Sequence, residues 1–350
     1  MGIMDYTVLP DTSIRDAIEK IDRLNKRAIF VVDSRKRLLG LFTEGDMRKY
    51  ILSDGNLSAS ITEAMNCSPI VFDSVISAKK AQKEQKMVVY PVVSPWGELT
   101  DAIFGDGENE NKKINTGLND IPLVIMAGGK GTRLYPYTKI LPKALIPIGN
   151  TTITERIINQ FYNYGCRDIH FILNHRANMI KSYYEDLEKN YAVHYHIEHE
   201  FLGTGGGLSL LKGKINSTFF LSNCDILIND DLECALKTHR VQKNIITFLC
   251  AVKNLVVPYG VINTDTSGKI INMTEKPEYT FLTNTGVYVI EPEVINDLKE
   301  NEFIHFPEIA KRYIEKGRKV GVFPIPEKAW LDMGQFAEME NMMKEFEDKE

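Results

Sequence analysis

Residues 121–149 read IPLVIMAGGKGTRLYPYTKILPKALIPIG, and the order of apolar run, glycines and cations in this stretch decides the fold. Residues 123–127 (LVIMA) have the length and branching of a strand buried on both faces, as in a parallel sheet. Gly128, Gly129 and Gly131 follow at once, interleaved with Lys130 and followed by Thr132 and Arg133. Glycine lets backbone N–H groups turn toward an anion at close range, where a side chain would stand in the way. Arg133 and, ten residues on, Lys143 add cationic donors suited to phosphate oxygens. Strand, glycine turn and two cations together describe a cradle for a triphosphate.

Two other glycine loops fit badly. A Walker A loop requires Gly-x-x-x-x-Gly-Lys-[Ser/Thr], whereas Lys130 lies between glycines and no Lys-Ser or Lys-Thr follows Gly131. A dinucleotide fingerprint requires Gly-x-Gly-x-x-Gly, and Leu134 occupies the last place. Pro136 and Pro142 also oppose the helix that both of those folds begin directly after the turn.

The stretch resembles the signature of the sugar-1-phosphate nucleotidyltransferases, G-G-x-G-T-R-L-x-P-x-T-x-x-x-P-K. Every fixed position is present, from Gly128 to Leu134, then Pro136, Thr138, Pro142 and Lys143. The resemblance implies that Ala127, Gly128, Gly129, Gly131 and Thr132 wrap the nucleotide, and that Arg133 and Lys143 neutralise charge during transfer.

Composition narrows the class. The chain has 350 residues, 43% hydrophobic and 25% charged, with formal charge -5. That length accommodates two domains, and the negative charge argues against nucleic acid as a partner. No apolar run approaches the ~20 residues of a membrane span. The start, MGIMDYTVLPDTS, shows neither a secretory pattern nor a Ser or Thr at the usual place for myristoylation. Five dispersed cysteines without a C-x-x-C pair point to buried, reduced thiols and a cytoplasmic setting.

Ahead of the glycine loop, Ile14, Ala17, Ile18, Ile21 and Leu24 follow the helical period behind Ser13 or Asp11 as cap. Residues 28–32 and 38–42 read as strands around a polar turn, and 47–52 as a closing helix. This order, with the phrase GLFTEGDMRKYIL, resembles a CBS motif, and residues 61–104 have the corresponding pieces of a second copy. In such modules Thr/Ser-x-x-Asp holds a nucleotide ribose and phosphate. Thr43 and Asp46 have that spacing and the second copy lacks it, so at most one adenosine nucleotide site is expected. The competing reading makes the pair a dimerisation or spacer domain with Asp46 as a helix cap. Residues 106–120, DGENENKKINTGLND, read as a linker.

Beyond the loop, Thr152 to Glu155 fits a capping box, with Ile153, Ile157, Phe161 and Tyr164 at helical spacing and Gly165 as the stop. Residues 168–173 are the next strand, and the alternation argues for a mostly parallel sheet whose ligands lie beyond the strands' carboxyl ends. His194, His196 and Glu198 alternate along residues 193–199, a zinc-like set that we read instead as a half-exposed strand. Residues 219–227 form an apolar strand ending near Asp225, a natural Mg²⁺ ligand.

The family resemblance adds the rest. Gly203 and Thr204 lie in an L-G-T-x-G loop whose backbone recognises the base, and Asp332 in Trp330–Gly334 is the second metal ligand. Gly260 in Y-G-V, Glu275 and Lys276 in E-K-P, and Asn284 and Gly286 in N-x-G-x-Y bind the sugar phosphate.

The expected architecture is α/β: a Rossmann-like, mostly parallel mixed sheet flanked by helices over 121–350, preceded by a CBS pair over 1–105. The expected reaction is attack of a sugar 1-phosphate on the α-phosphorus of a nucleoside triphosphate with Mg²⁺, in a homo-oligomer. A CBS pair ahead of the transferase, with the Asn-Cys-Asp-Ile-Leu strand end, is similar to the guanylyltransferases of legionaminic acid pathways, which join GTP to glucosamine 1-phosphate. Mannose- and heptose-1-phosphate guanylyltransferases are the near alternatives, with thymidylyl or uridylyl transfer behind them. A nicotinamide-dependent oxidoreductase and a catalytically silent nucleotide sensor are the readings from other classes. No hexapeptide repeats follow as far as Glu350, so no attached acetyltransferase is expected.

Overall fold

In the computed structural model, residues 2–24, 26–53, 55–85, 87–105, 117–334 and 336–347 are described. The chain divides into two compact units, residues 1–111 and 112–350. Most of the expected linker, 106–116, lies outside the described residues. Its end is not linker-like: Leu118 is fully buried in the second unit's core, and its N–H donates to Tyr164 O at 2.9 Å.

The first unit contains two related halves. In the first, the helix Ile14–Leu24 buries Ile14, Ala17, Ile18 and Ile21 against an antiparallel pair, Ala28–Val32 and Leu38–Thr43. Ser13 Oγ caps that helix by accepting from Asp16 N–H. The second half repeats the order with the helix Val75–Glu84 and the pair Val89–Val93 and Leu99–Phe104. Ala28, Phe30, Val32 and Leu41 of one half share a core with Val89 and Leu99 of the other. Each half has too little apolar surface to close its own sheet face, and burial against the other supplies the rest.

The second unit is built on a seven-stranded sheet. Its strands are β1 (Leu123–Met126), β2 (Asp168–Leu173), β3 (Ala192–Ile197), β4 (Phe219–Asn223), β5 (Ile246–Val256), β6 (Glu278–Ile290) and β7 (Val320–Pro326). Their order is β3-β2-β1-β4-β6-β5-β7, and β6 alone runs against its neighbours. The helix α1 (Ile153–Asn163) starts at the expected box, with Thr152 Oγ1 accepting from Glu155 N–H and the Glu155 carboxylate accepting from Thr152 N–H. One apolar cluster fills each face of the sheet, so β1 is buried throughout and its carboxyl end can only open into the glycine loop.

The run read as one strand over 219–227 is broken. It leaves the sheet at Asn223, turns at Cys224 and Asp225, and pairs Ile226–Ile228 antiparallel with Trp330–Asp332. Asp225 therefore sits in a corner between two strands rather than at the end of one.

Candidate active site

The glycine loop leaves the carboxyl end of β1 and turns at Gly131, where φ is +64°. A side chain there would be strained, and its Cβ would come within 2.9 Å of Thr138 and 3.2 Å of Lys143 Cβ. Thr138, buried, donates from Oγ1 to Gly131 O at 2.8 Å, folding the second half of the signature back onto the first. Arg176 holds this fold from outside, donating to Lys139 O at 2.5 Å and Ile140 O at 2.6 Å. Lys143 begins a short 3-10 turn and reaches the Asp225 carboxylate, with which it pairs.

Register brings the second acid to the same place. Ile226 lies opposite Asp332, and Met333 N–H donates to Asp225 O at 3.0 Å. Burial, and after it the Asp225 carboxylate, raise the Asp332 carboxyl above its ordinary range, while Lys143 and a 2.6 Å hydrogen bond from Gly334 N–H pull it back. Two converging acids share one ammonium. Two carboxylates with charge to spare suit a hard divalent cation with oxygen ligands.

The remaining predicted residues of this unit fall into four places. Arg133 is exposed on the turn Thr132–Leu134, and Gly129 is exposed beside it. Gly286, at φ +89°, packs against the Asn223 side chain, which brings the irregular stretch of β6 over Asn284–Gly286 to the corner that holds Asp225. Gly260 and Glu275 adjoin, a Cβ on the glycine falling 2.9 Å from Glu275 Oε2. With Lys276 these two are exposed on an arm formed by the outer ends of β5 and β6 and the hairpin Val261–Thr264 and Ile270–Thr274. No hydrogen bond or ion pair among the described residues ties Gly260, Glu275 or Lys276 to the acidic pair. Gly203, at φ +82°, and Thr204 lie against Ile304 and His305, where Thr204 Oγ1 accepts from Phe306 N–H at 3.1 Å.

Thr43 and Asp46, in the first unit, satisfy each other in a capping box. Thr43 N–H and Oγ1 donate to Asp46 Oδ2 at 3.0 and 2.7 Å.

Glu198 is a functional candidate that reading it as a strand-face residue misses. Strand β3 ends at Ile197, so Glu198 leaves the face that carries His194 and His196. Its carboxyl lies between two glycine loops: a Cβ on Gly128 would meet Oε2 at 2.8 Å, and one on Gly207 would collide with Oε1. The side chain is 3% exposed, and neither oxygen has an aligned hydrogen-bond donor. Desolvation pushes it up to about 7, offset only in part by the nearby Leu202 N–H. A buried acid at the rim of a glycine loop, with no closer donor than the Leu202 N–H, has acceptor capacity to spare.

Residues 123–349 match the family described as nucleotidyl transferase. The chain belongs to that family. Residues 3–53 match the CBS domain. Among curated relatives, the nucleotidyl transferase part is similar to the UTP–glucose-1-phosphate uridylyltransferase of Synechocystis sp., 35% identical over 49% of this chain and 50% of that protein. It is also similar to the mannose-1-phosphate guanyltransferase of Pichia angusta, 31% identical over 61% of this chain and 60% of that one. The chain thus spans about half the length of the curated relatives it matches. The solved structure of HddC from Yersinia pseudotuberculosis, complexed with GMP-PN, shares the fold at 22% identity and TM-score 0.51, covering 65% of this chain and 99% of that one. No helix among the described residues is long and apolar enough to cross a membrane.

Proposed function

We propose that this nucleotidyl transferase joins GMP from GTP to a sugar 1-phosphate, releasing pyrophosphate. The observation that carries the reading is the convergence of Asp225, Asp332 and Lys143 beside the glycine loop, at the carboxyl end of the sheet. A phosphate monoester is already an anionic nucleophile, so the chemistry needs no strong base. The obstacle is repulsion between two polyanions, and positioning with charge neutralisation overcomes it. Asp225 and Asp332 would hold Mg²⁺, which when bound supplies countercharge to the phosphates. Lys143 gives up its carboxylate partner to phosphate oxygens, Arg133 adds a second cation from the exposed turn, and Lys276 receives the attacking phosphate on the arm. The glycine loop presents N–H groups that no side chain obstructs.

Guanine is favoured by Glu198. An ionised carboxylate accepts from two adjacent donors, and guanine offers N1–H and the N2 amino group side by side. Uracil and thymine present one imide N–H between two carbonyls and leave the second carboxylate oxygen opposed by an acceptor. Glucosamine 1-phosphate as acceptor, in a cytoplasmic route to legionaminic acid, rests on the sequence resemblance, and mannose and heptose 1-phosphates are the competing acceptors. Pyrophosphate release from a panel of nucleotides crossed with sugar phosphates in Mg²⁺ tests all of this. GTP with one of these three acceptors is expected to be fastest, and absence of release from every pair would leave a silent sensor.

The CBS pair is proposed as a sensor for one adenosine nucleotide at Thr43 and Asp46, or as the dimerisation module of a homo-oligomer. Calorimetric titration of AMP, ADP and ATP into the full chain is expected to give a one-site isotherm that Asp46→Asn removes. Heat unchanged by that substitution, or none, would leave Asp46 as a cap only.

A further inference from the structure

The outer edge of the transferase sheet carries a second group of ligating side chains. β3 pairs with β2 in parallel register, His194 opposite His170 and His196 opposite Ile172. Alternation along the two strands puts Asp168, His170, His194 and His196 on a common face. His170 Nε2 and His194 Nε2 each lie 3.2 Å from Asp168 Oδ1, and one ligand atom from each of the three residues falls within 4.8 Å of the other two. Ligands about 2.0–2.1 Å from a tetrahedral ion stand about 3.3 Å apart, so two of the three edges already have the right length. His170 is 4% exposed, and its Nε2 faces Asp168 Oδ1 without an aligned hydrogen bond. Behind it, His170 Nδ1 lies 3.0 Å from His196 Nε2, with ring planes 7° apart. A partner on the far nitrogen is what orients a ligating imidazole.

We propose that Asp168, His170 and His194 form a binding site for a divalent transition cation of the zinc class, held through Asp168 Oδ1 and the two Nε2 atoms. Imidazole ligands select such ions over Mg²⁺, so this site is distinct in kind from the paired acids Asp225 and Asp332. The protons balance without release. Lys214 Nζ stands 3.2 Å from His196 Nδ1 and donates to it. In the metal-free chain, His196 therefore donates from Nε2 to His170 Nδ1, and His170 carries its proton on Nε2. Metal binding moves that proton to His170 Nδ1, which then donates to His196 Nε2. His196 in turn shifts its own proton to Nδ1, and exposed Lys214 swings into solvent. Two ligands from β2 and one from β3 clamp the edge strand to its neighbour.

Untagged full-length protein, in excess Mg²⁺ to fill sites made of carboxylates alone, is titrated with Co²⁺. Visible d–d bands saturating at one equivalent are expected, with a rise in melting temperature. His194→Ala and Asp168→Asn should each abolish the bands, whereas Asp225→Asn should keep them. Because His194 is 51% exposed, its truncation leaves the metal-free melting temperature unchanged. Lys214→Met is expected to tighten binding by removing the ammonium that competes for His196. Absence of bands, or bands that survive both His194→Ala and Asp168→Asn, overturns the proposal.

Discussion

Asp225→Asn is expected to lower turnover by about 10²–10³-fold, the usual consequence of removing one preorganised charge from a site that works by electrostatics. The fold should survive. Asp225 gives structure its pair with Lys143, an ammonium that also acts on Asp332 and can turn to it, and its carbonyl, which accepts from Met333 N–H at 3.0 Å; the amide is isosteric with the carboxylate it replaces. The substitution also relieves Asp332, whose carboxyl is raised in part by the Asp225 charge. With that repulsion gone, the metal-free protein should melt no lower than the parent while pyrophosphate release collapses. Lys143→Ala should lose a comparable factor, but the Asp225–Asp332 repulsion then goes unscreened and the melting temperature falls. The opposite stability effects with similar losses of rate distinguish a shared electrostatic centre from two unrelated structural residues. Near-parental turnover from either variant would remove the assignment.

How far the sequence reaches can be argued from single residues. β1, β2 and α1 are legible because their signals are local: an apolar run buried on both faces, and a Thr and Glu three apart that close a box. The neighbourhood of Asp225 and Asp332 is not local. It depends on Ile226 finding Asp332 across nearly half of the second unit, and no periodicity announces an antiparallel pair of that separation. There the family resemblance carried the expectation. Residues 219–227 look like one strand because apolar residues stand on both sides of a short polar step, and the turn at Cys224–Asp225 has neither Gly nor Pro to mark it. Leu118 is hidden among polar residues in the sequence, yet a single apolar residue is enough to anchor a segment to a core. Glu198 is hidden for a related reason. Period-two alternation continues past Ile197 on paper, whereas the strand stops there, and one step beyond its end the carboxylate lies between Gly128 and Gly207. A lone acid between a strand's carboxyl end and a glycine-rich segment is the signal that was available.

That acid gives the other large effect. Glu198→Gln is expected to cut kcat/KM for GTP by about 10²-fold, the cost of losing one charge-assisted pair of hydrogen bonds to a base edge. The amide offers one acceptor and one donor, which matches the imide edge of uracil or thymine, so the preference between GTP and UTP or dTTP should narrow or invert. The pH profile separates base reading from simple packing. Glu198 titrates near 7, and guanine requires the ionised form, so kcat/KM for GTP in the parent should rise through about pH 7 and then level. The Gln variant should lack that step. Stability runs the other way. A carboxyl whose folded value lies above its ordinary 4.5 binds more protons folded than unfolded, so its contribution falls as pH rises from about 4.5 to about 7. The variant should therefore melt higher than the parent above neutral pH while handling GTP worse. A variant that keeps the parental GTP preference and the parental pH step would leave Glu198 a buried acid with no part in choosing the base.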